Sequence, residues 1–273
     1  MKKTIYFILS VLGTSLFAII FHKCLPADAN SASANSFLVE KLSFPVVAIL
    51  YFIILFVLCA IAIYQFGMRS NLSKKDIFLR FGIGYGLIYF VGMFEIIPGA
   101  DWNMDIAINQ IFVGLGDAVP AFLIAFLISR KIEVKSNEQK KSTNKFDYKL
   151  MLIVAFYTFI IRIIGYNTNL VINAMDEYCA PVVSWTVFFS IIVGFVVALL
   201  YPFFVKESKF SVVRFLLSFG CNWFWFNSFM VLICKNYEVA VCLRVSVDLI
   251  AILIGIAIST LIVKMRYTNK IVS

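Results

Sequence analysis

The sequence predicts an all-α integral membrane protein with eight transmembrane helices. Hydrophobic residues make up 62% of the 273 residues, and only 14% are charged. A soluble domain of this length would carry about a quarter charged residues, so composition excludes a water-soluble core. The mean hydropathy is +0.94. The apolar residues form continuous runs rather than alternating every second position, which favours helices over a β-barrel.

Eight apolar runs are long enough to cross a hydrocarbon layer of about 30 Å, which takes about 20 helical residues. A helix also satisfies all the backbone hydrogen bonds of such a run within lipid. The fifth run is short, but it still approaches the required length. The predicted spans are Thr4–Phe21, Leu42–Met68, Ile77–Ile97, Ile106–Ile128, Leu150–Gly165, Val182–Val205, Val212–Ile233 and Val239–Val263.

A basic segment, residues 129–149, separates the first four predicted spans from the last four. The chain therefore divides into a first membrane half over residues 1–128, this basic segment, and a second membrane half over residues 150–273. The first span could also be read as a signal peptide with a cleavage site at residues 27–29. Its apolar run is longer than that of most signal peptides, so we expect a retained first helix.

Short matches between the halves suggest two parallel four-helix repeats. The tripeptide PVV at residues 45–47 recurs at residues 181–183, and Asp117 and Asp248 both lie in the fourth helix of their half. Because four crossings is an even number, both halves would have the same orientation, as in some transporters. Chance is the alternative explanation, since valine and phenylalanine are frequent in this chain.

Basic residues are distributed unevenly between the two sides of the predicted bundle. With the N-terminus inside, most of the 24 Lys and Arg residues lie on the cytoplasmic side, and only Lys23, Lys41 and Lys235 lie outside. This positive-inside bias predicts cytoplasmic N- and C-termini and a multi-pass protein of the plasma membrane. The net charge of +9 then favours contact with anionic lipid headgroups rather than with nucleic acid.

Charged side chains interrupt several predicted spans. Asp117, Arg162, Arg244 and Asp248 lie inside spans, and Glu95 lies nearer an edge. A charge near the middle of a membrane helix costs about 3 kcal/mol, so we expect pairing inside the bundle. The predicted pairs are Arg244 with Asp248, four residues apart on one helix, and Arg162 with Asp117. These residues would line a solute or proton path, or the balanced pairs would only fix helix register.

The segment NWFWFN at residues 222–227 combines aromatic and amide side chains. Helical spacing places Asn222 and Trp225 on one face, and Trp223 and Asn227 on another. Packing is one explanation for the aromatic residues. As an alternative, Asn222, Trp225 and Asn227 would contact a polar or cationic solute through hydrogen bonds and the faces of the rings.

The sequence contains no recognisable catalytic motif. The single histidine, His22, excludes a HExxH motif and a histidine pair for a metal ion. Walker A, GxSxG and dinucleotide-binding motifs are also missing. We therefore expect no enzyme activity, no cofactor and no metal. A hydrolase that uses only carboxylates is left open, because Glu95, Asp101, Asp105 and Asp117 follow one another along one stretch.

The six cysteines lack the paired spacing of a metal site. Cys24, Cys179 and Cys234 fall near the predicted outer face, where a disulfide could form. We expect free thiols.

The predicted function is a transporter or permease for a small solute that uses the intramembrane carboxylates. This prediction rests on the suggested repeat, on Asp117 and Asp248 in the membrane, and on Pro120 within the fourth helix. The alternative is a non-catalytic membrane subunit or sensor. In that case the basic segment 129–149 would dock a cytoplasmic protein partner.

Overall fold

The computed structural model of the chain describes residues 2–26, 36–68, 70, 72–99, 102–133, 146–168, 170–171, 180–201, 211–235 and 238–272. These residues are almost entirely helical. Eight of the helices are long and apolar enough to cross a membrane, which confirms the predicted class and the number of spans.

Several predictions concern residues outside these ranges. They include most of the proposed docking segment 129–149, of which residues 134–145 are not described, and the alternative cleavage site at residues 27–29. Cys179 also lies outside the described residues, whereas Cys24 and Cys234 carry free thiols.

We label the spanning helices α1 to α8. The first half contains α1 (Lys2–Cys24), α2 (Phe44–Gly67), α3 (Lys74–Gly92) and α4 (Met104–Arg130), and the second half contains α5 (Tyr148–Asn167), α6 (Ala180–Leu200), α7 (Val212–Ile233) and α8 (Glu238–Val272). Short helices precede α2 and follow α3, at Phe37–Leu42 and Ile96–Gly99. We call the face at which α1 begins and α8 ends the terminal face, and the other the far face.

Side-chain caps fix where three of these helices begin. The side chains of Ser73, Asn103 and Asp147 each accept a hydrogen bond from a backbone N–H in the first turn of α3, α4 and α5. These N–H groups have no partner within the helix, so the caps stabilise the helix starts. Pro45 lies in the first turn of α2, where its missing N–H costs nothing.

The two halves pack with a similar internal pattern. In the first half α1 contacts α2 and α4, and in the second half α5 contacts α6 and α8. The halves meet where α3 packs on α6 and where α2 packs on α7. The internal repeat itself stays a prediction.

Glycines allow α3 and α4 to approach closely. Gly82 and Gly86, which form a GxxxG pair in α3, lie directly against the Phe122 ring of α4. From the other side, a Cβ atom on Gly114 would lie 2.8 Å from the Phe90 carbonyl oxygen of α3. Small residues at such positions let two membrane helices pack backbone against backbone.

Two spanning helices are irregular. Helix α7 contains a π-helical segment, Leu216–Gly220, and is interrupted again at Ser228, between Asn227 and Phe229. Helix α3 ends in a 3₁₀ turn, Met93–Glu95. By contrast, α4 continues through Pro120. π-helical segments are frequent at functional sites, and here the two irregular helices supply Glu95 and Asn227.

Candidate functional site: a buried charge network

A bidentate ion pair joins α5 to α8. Arg162 Nε lies 2.6 Å from Asp248 Oδ1, and Arg162 Nη2 lies 3.1 Å from Asp248 Oδ2. The side chains are 1% and 2% exposed. The Trp223 indole also donates to Asp248 Oδ2, at 3.1 Å, and the Arg162 guanidinium lies 4.0 Å from the centroid of the Phe189 ring. Two parallel charge-assisted hydrogen bonds fix the relative position of the two helices.

Glu95 connects this pair to a second arginine. Its Oε1 accepts from Arg162 Nη1 at 3.3 Å, and its Oε2 accepts from Arg244 Nη1 at 3.1 Å. The Tyr166 hydroxyl donates to Oε1 at 3.4 Å. Arg244 Nη2 in turn donates to Asn227 Oδ1 at 2.9 Å. Two arginines therefore face two carboxylates, which makes the network neutral as a whole.

The network lies toward the far face and joins both halves. From the helix rise of about 1.5 Å per residue, Arg162 lies within about 10 Å of the far end of α5, and Asp248 within about 15 Å of the start of α8. Glu95, at the end of α3, is the one charged member from the first half. Its bonds to Arg162 and Arg244 are therefore contacts between the halves, whereas the Arg162–Asp248 pair lies within the second half.

Part of the network is exposed at the surface of the bundle, and several polar atoms near it lack a hydrogen-bond partner. The Glu95 side chain is 11% exposed and the Arg244 side chain 21%. Five buried polar atoms have no hydrogen-bond partner among the described residues. Four lie on α5, α6 and α8, namely Arg244 Nε, Thr158 Oγ1, Trp185 Nε1 and Ser190 Oγ, and the fifth, Thr14 Oγ1, lies on α1. Thr158 lies one helical turn from Arg162, toward the middle of the membrane. Because most buried polar groups in proteins are bonded, these atoms are candidates for hydrogen bonds to water or to a polar ligand.

The predicted pairing of the charges is wrong. Arg244 does not pair with Asp248, and Arg162 does not pair with Asp117. Asp248 instead uses its oxygens for the α5 arginine and for the Trp223 indole. Arg244, one turn nearer the far face, reaches Glu95 at the end of α3. Spacing along one helix showed that Arg244 and Asp248 could meet, but the neighbouring helices decide which contacts form.

Asp117 occupies a separate site between α4 and α1. Its Oδ1 lies 3.3 Å from His22 Nε2, and the side chains are 6% and 25% exposed, respectively. Gly114 packs on the Phe90 backbone, which places Asp117 about two helical turns nearer the terminal face than Glu95. The two carboxylates of the suggested repeat, Asp117 and Asp248, therefore do not share one site.

The two faces of the segment at residues 222–227 separate as predicted. Trp223 and Asn227 contact the charge network. On the other side, Asn222 accepts a hydrogen bond of 2.5 Å from the Tyr89 hydroxyl, and the Trp225 indole donates to the backbone carbonyl oxygen of Tyr51 at 3.0 Å. Asn222 and Trp225 thus join α7 to α3 and α2, away from Arg244.

Four residues of these sites were not predicted from the sequence, namely His22, Tyr166, Phe189 and Trp223, although Trp223 was placed on the same helix face as Asn227. Tyr166 lies four residues after Arg162, so helical spacing alone could have placed it beside the network. Phe189 lies on another helix and could not have been found in that way. A basic residue near the end of the first span, His22, could have been found as the counterpart of Arg162 near the end of the fifth.

Two cavities of the described part lie toward the terminal face. One of about 20 Å³ is lined by Lys3, Tyr6, Phe7, Tyr64, Ile128 and Lys131. The other, of about 220 Å³, is lined by Gln65, Phe66, Arg214, Leu217 and Ser218. Neither includes a member of the charge network. In the described part of the chain, no group of three or more His, Cys, Asp or Glu side chains could hold a metal ion.

The fold and the composition define a polytopic α-helical membrane protein. No protein-family model matches the chain, and no curated protein or solved structure is significantly similar to it. Function is therefore inferred from the chain's own residues.

Replacing Gly116 by Ala is expected to separate His22 from Asp117. A Cβ atom at Gly116 would overlap the His22 imidazole, so the ring must move away. Labelling the single histidine with ¹⁵N and recording its imidazole NMR signal measures the change of environment. Gly13→Ala is the control, because a Cβ atom there meets nothing within 4 Å. An imidazole signal that is the same in Gly116→Ala and in the unmodified protein would contradict the packing described here.

Proposed function

We propose that the chain is a small-solute permease of the plasma membrane, in a state closed to the outside. With cytoplasmic termini, as the positive-inside bias favours, the far face is the outer face. The charge network then closes the outer ends of α3, α5, α7 and α8, and serves as an outer gate.

The position of Glu95 carries this proposal. Glu95 is bonded to both arginines across the boundary between the halves. If the halves separate at the outer face, Arg162 keeps its bidentate bonds to Asp248. Arg162 therefore keeps a counter-charge throughout. Leaving a fully buried arginine without one would cost several kcal/mol. The network can therefore open at Glu95 and close again, as alternating access requires.

The unpaired polar atoms support a solute site below this gate. Thr158 Oγ1, Ser190 Oγ and Trp185 Nε1 are buried on α5 and α6, and Arg244 Nε is unpaired at the gate. All four atoms can donate a hydrogen bond, and Trp185 Nε1 and Arg244 Nε cannot accept one. A small polar solute with acceptor oxygens fits this set, because buried donors discriminate strongly in favour of a ligand that pairs them.

Replacing Glu95 by Gln is expected to open the outer face. The change removes the ion pairs of Glu95 with Arg162 and Arg244 and keeps the size of the side chain. Spin labels on the exposed native residues Cys24 and Cys242, with the remaining cysteines replaced, give an electron–electron distance between the outer ends of the two halves. In lipid nanodiscs we expect Glu95→Gln to add or enlarge a longer-distance population.

Glu40→Gln is the matched control for this measurement. Glu40 also bonds across the halves near the outer face, to Lys235 at 2.6 Å, but the two side chains are 49% and 47% exposed. Exposed pairs contribute under about 1 kcal/mol, so its distance distribution should stay unchanged. A single distance that Glu95→Gln leaves unaltered would refute an outer gate at this position.

The second candidate function is a non-catalytic membrane subunit that binds a cytoplasmic protein through the basic segment 129–149. The Arg162–Asp248 pair favours this alternative, because it is almost fully buried and its charges neutralise each other. A purely structural role, which holds α5 against α8, explains both features. Under this alternative the spin-label distance is invariant, and deletion of residues 135–146 abolishes partner capture. Under the permease proposal that deletion leaves the distance distribution as it was.

A further inference from the structure

Each half contains one aspartate of its fourth helix paired with a basic side chain of its first helix. In the first half, Asp117 of α4 lies 3.3 Å from His22 of α1. In the second half, Asp248 of α8 lies 2.6 Å from Arg162 of α5. The two pairs are equivalent in helix order, and each joins a carboxylate to a basic side chain. They differ in one respect, because a guanidinium is always charged and an imidazole is not.

The His22 imidazole is packed on two sides. The imidazole lies over Gly116, where a Cβ atom would overlap the ring. The Phe52 ring of α2 lies on another side, with 5.5 Å between the ring centroids. The carboxylate of Asp117 is almost fully buried, whereas a quarter of the His22 side chain is exposed. The imidazole therefore lies at the surface of the bundle, in the last turn of α1, while its counter-charge is held inside the bundle.

The ionisable groups around His22 are few. From α4 it faces Asp117. From α2, Tyr51 interacts electrostatically with Asp117, and its hydroxyl is bonded to the Phe226 carbonyl oxygen at 3.0 Å. On α1 itself, Lys23 and Cys24 are the adjacent ionisable residues. Of these side-chain types, only an imidazole ordinarily changes charge between about pH 5 and pH 8.

Protonation of His22 would change how α1 is attached. An imidazolium donates a charge-assisted hydrogen bond to the Asp117 carboxylate, and a neutral imidazole gives a weaker bond without a counter-charge. Helix α1 packs mainly on α2 and α4, and it is the least buried of the eight spans. Its contact with α4 is therefore the one most easily altered by a single charge.

We propose that the His22–Asp117 pair is the proton-binding site that couples transport to a proton gradient. The imidazole takes one proton from the aqueous phase, binds it between the ring and Asp117 Oδ1, and releases it when α1 moves relative to α4. This inference rests on the proposed permease function. In the second half, Arg162 is the equivalent basic residue of the first helix, and it does not exchange a proton. One half of the bundle therefore responds to pH and the other does not.

The test uses the spin-labelled protein at residues 24 and 242, in nanodiscs, at about pH 5 and about pH 8, the range over which imidazoles titrate. We expect the ratio of long- to short-distance populations to change about threefold, an effect that a partly exposed ion pair can supply. His22→Arg, which copies the second half, should keep the low-pH distribution at both pH values. His22→Gln should keep the high-pH distribution, and Lys23→Gln should still respond to pH.

The outcomes separate this inference from the proposed function. A pH response that persists in both His22 variants refutes the proton site. An unmodified protein that ignores pH, together with a Glu95→Gln variant that opens, refutes the proton site and leaves the permease proposal standing. If neither pH nor Glu95→Gln changes the distances, both proposals fall. Asp117→Asn provides a second variant at the same pair, and it too should lose the pH response.

Discussion

Replacing Asp248 by Asn is expected to lower the free energy of unfolding by about 3 kcal/mol or more, the cost of leaving a buried charge without its partner. Arg162 would keep its full charge at a fully buried position and would lose its bidentate counter-ion. Glu95, the remaining carboxylate near it, is also bonded to Arg244. Reversible unfolding in mixed detergent micelles, followed by circular dichroism, measures the change.

The control and the rescue both come from this chain. Glu40→Gln breaks an exposed ion pair and should change the free energy of unfolding by less than about 1 kcal/mol. The double variant Arg162→Gln with Asp248→Asn removes both charges and should recover part of the loss, because no unpaired charge then stays buried. A single Asp248→Asn variant as stable as Glu40→Gln would show that the pair is not buried as described.

Replacing Gly194 by Ala is expected to cost about 1–3 kcal/mol, as overpacking of a well-packed contact does. Gly194 of α6 lies against the backbone of α5. A Cβ atom there would overlap the Met151 carbonyl oxygen and would lie 3.0 Å from the Ala155 backbone nitrogen. Backbone atoms cannot turn aside as a side chain can, so the two helices must separate.

The same unfolding measurement applies to Gly194→Ala, with Gly13→Ala as its reference. Gly13 is also helical, but a methyl group added there would meet no atom within 4 Å, and alanine favours a helix over glycine. We therefore expect Gly13→Ala to lose no stability. Equal behaviour of the two variants would mean that α5 and α6 do not pack through Gly194.

The eight spans could be predicted from the sequence because span length and hydropathy are local properties. The two faces of residues 222–227 followed from helical spacing for the same reason. The partners of Arg162 and Arg244 could not be predicted, because they depend on which helices become neighbours. Asp117 and Asp248 were correctly identified as buried, yet they belong to two separate sites.

Glu95 lies near the end of its span, as predicted, but its partners were not predicted. They depend on the 3₁₀ turn at the end of α3, which brings the carboxylate between two arginines. Nothing in the local sequence signals that turn. No partner was predicted for His22, because Asp117 lies in another helix, far along the chain.

The π-helical segment Leu216–Gly220 of α7 has a consequence for the evolution of this chain. A π-helical segment is, in effect, an α-helix that has gained one residue. Each residue of an α-helix turns the chain by about 100°, so the extra residue sets the direction in which Trp223 and Asn227 point. Related sequences that lack one residue between positions 216 and 220 would direct these side chains toward a different neighbour. A one-residue gap at this point would therefore change the contacts that Trp223 and Asn227 make with Asp248 and Arg244.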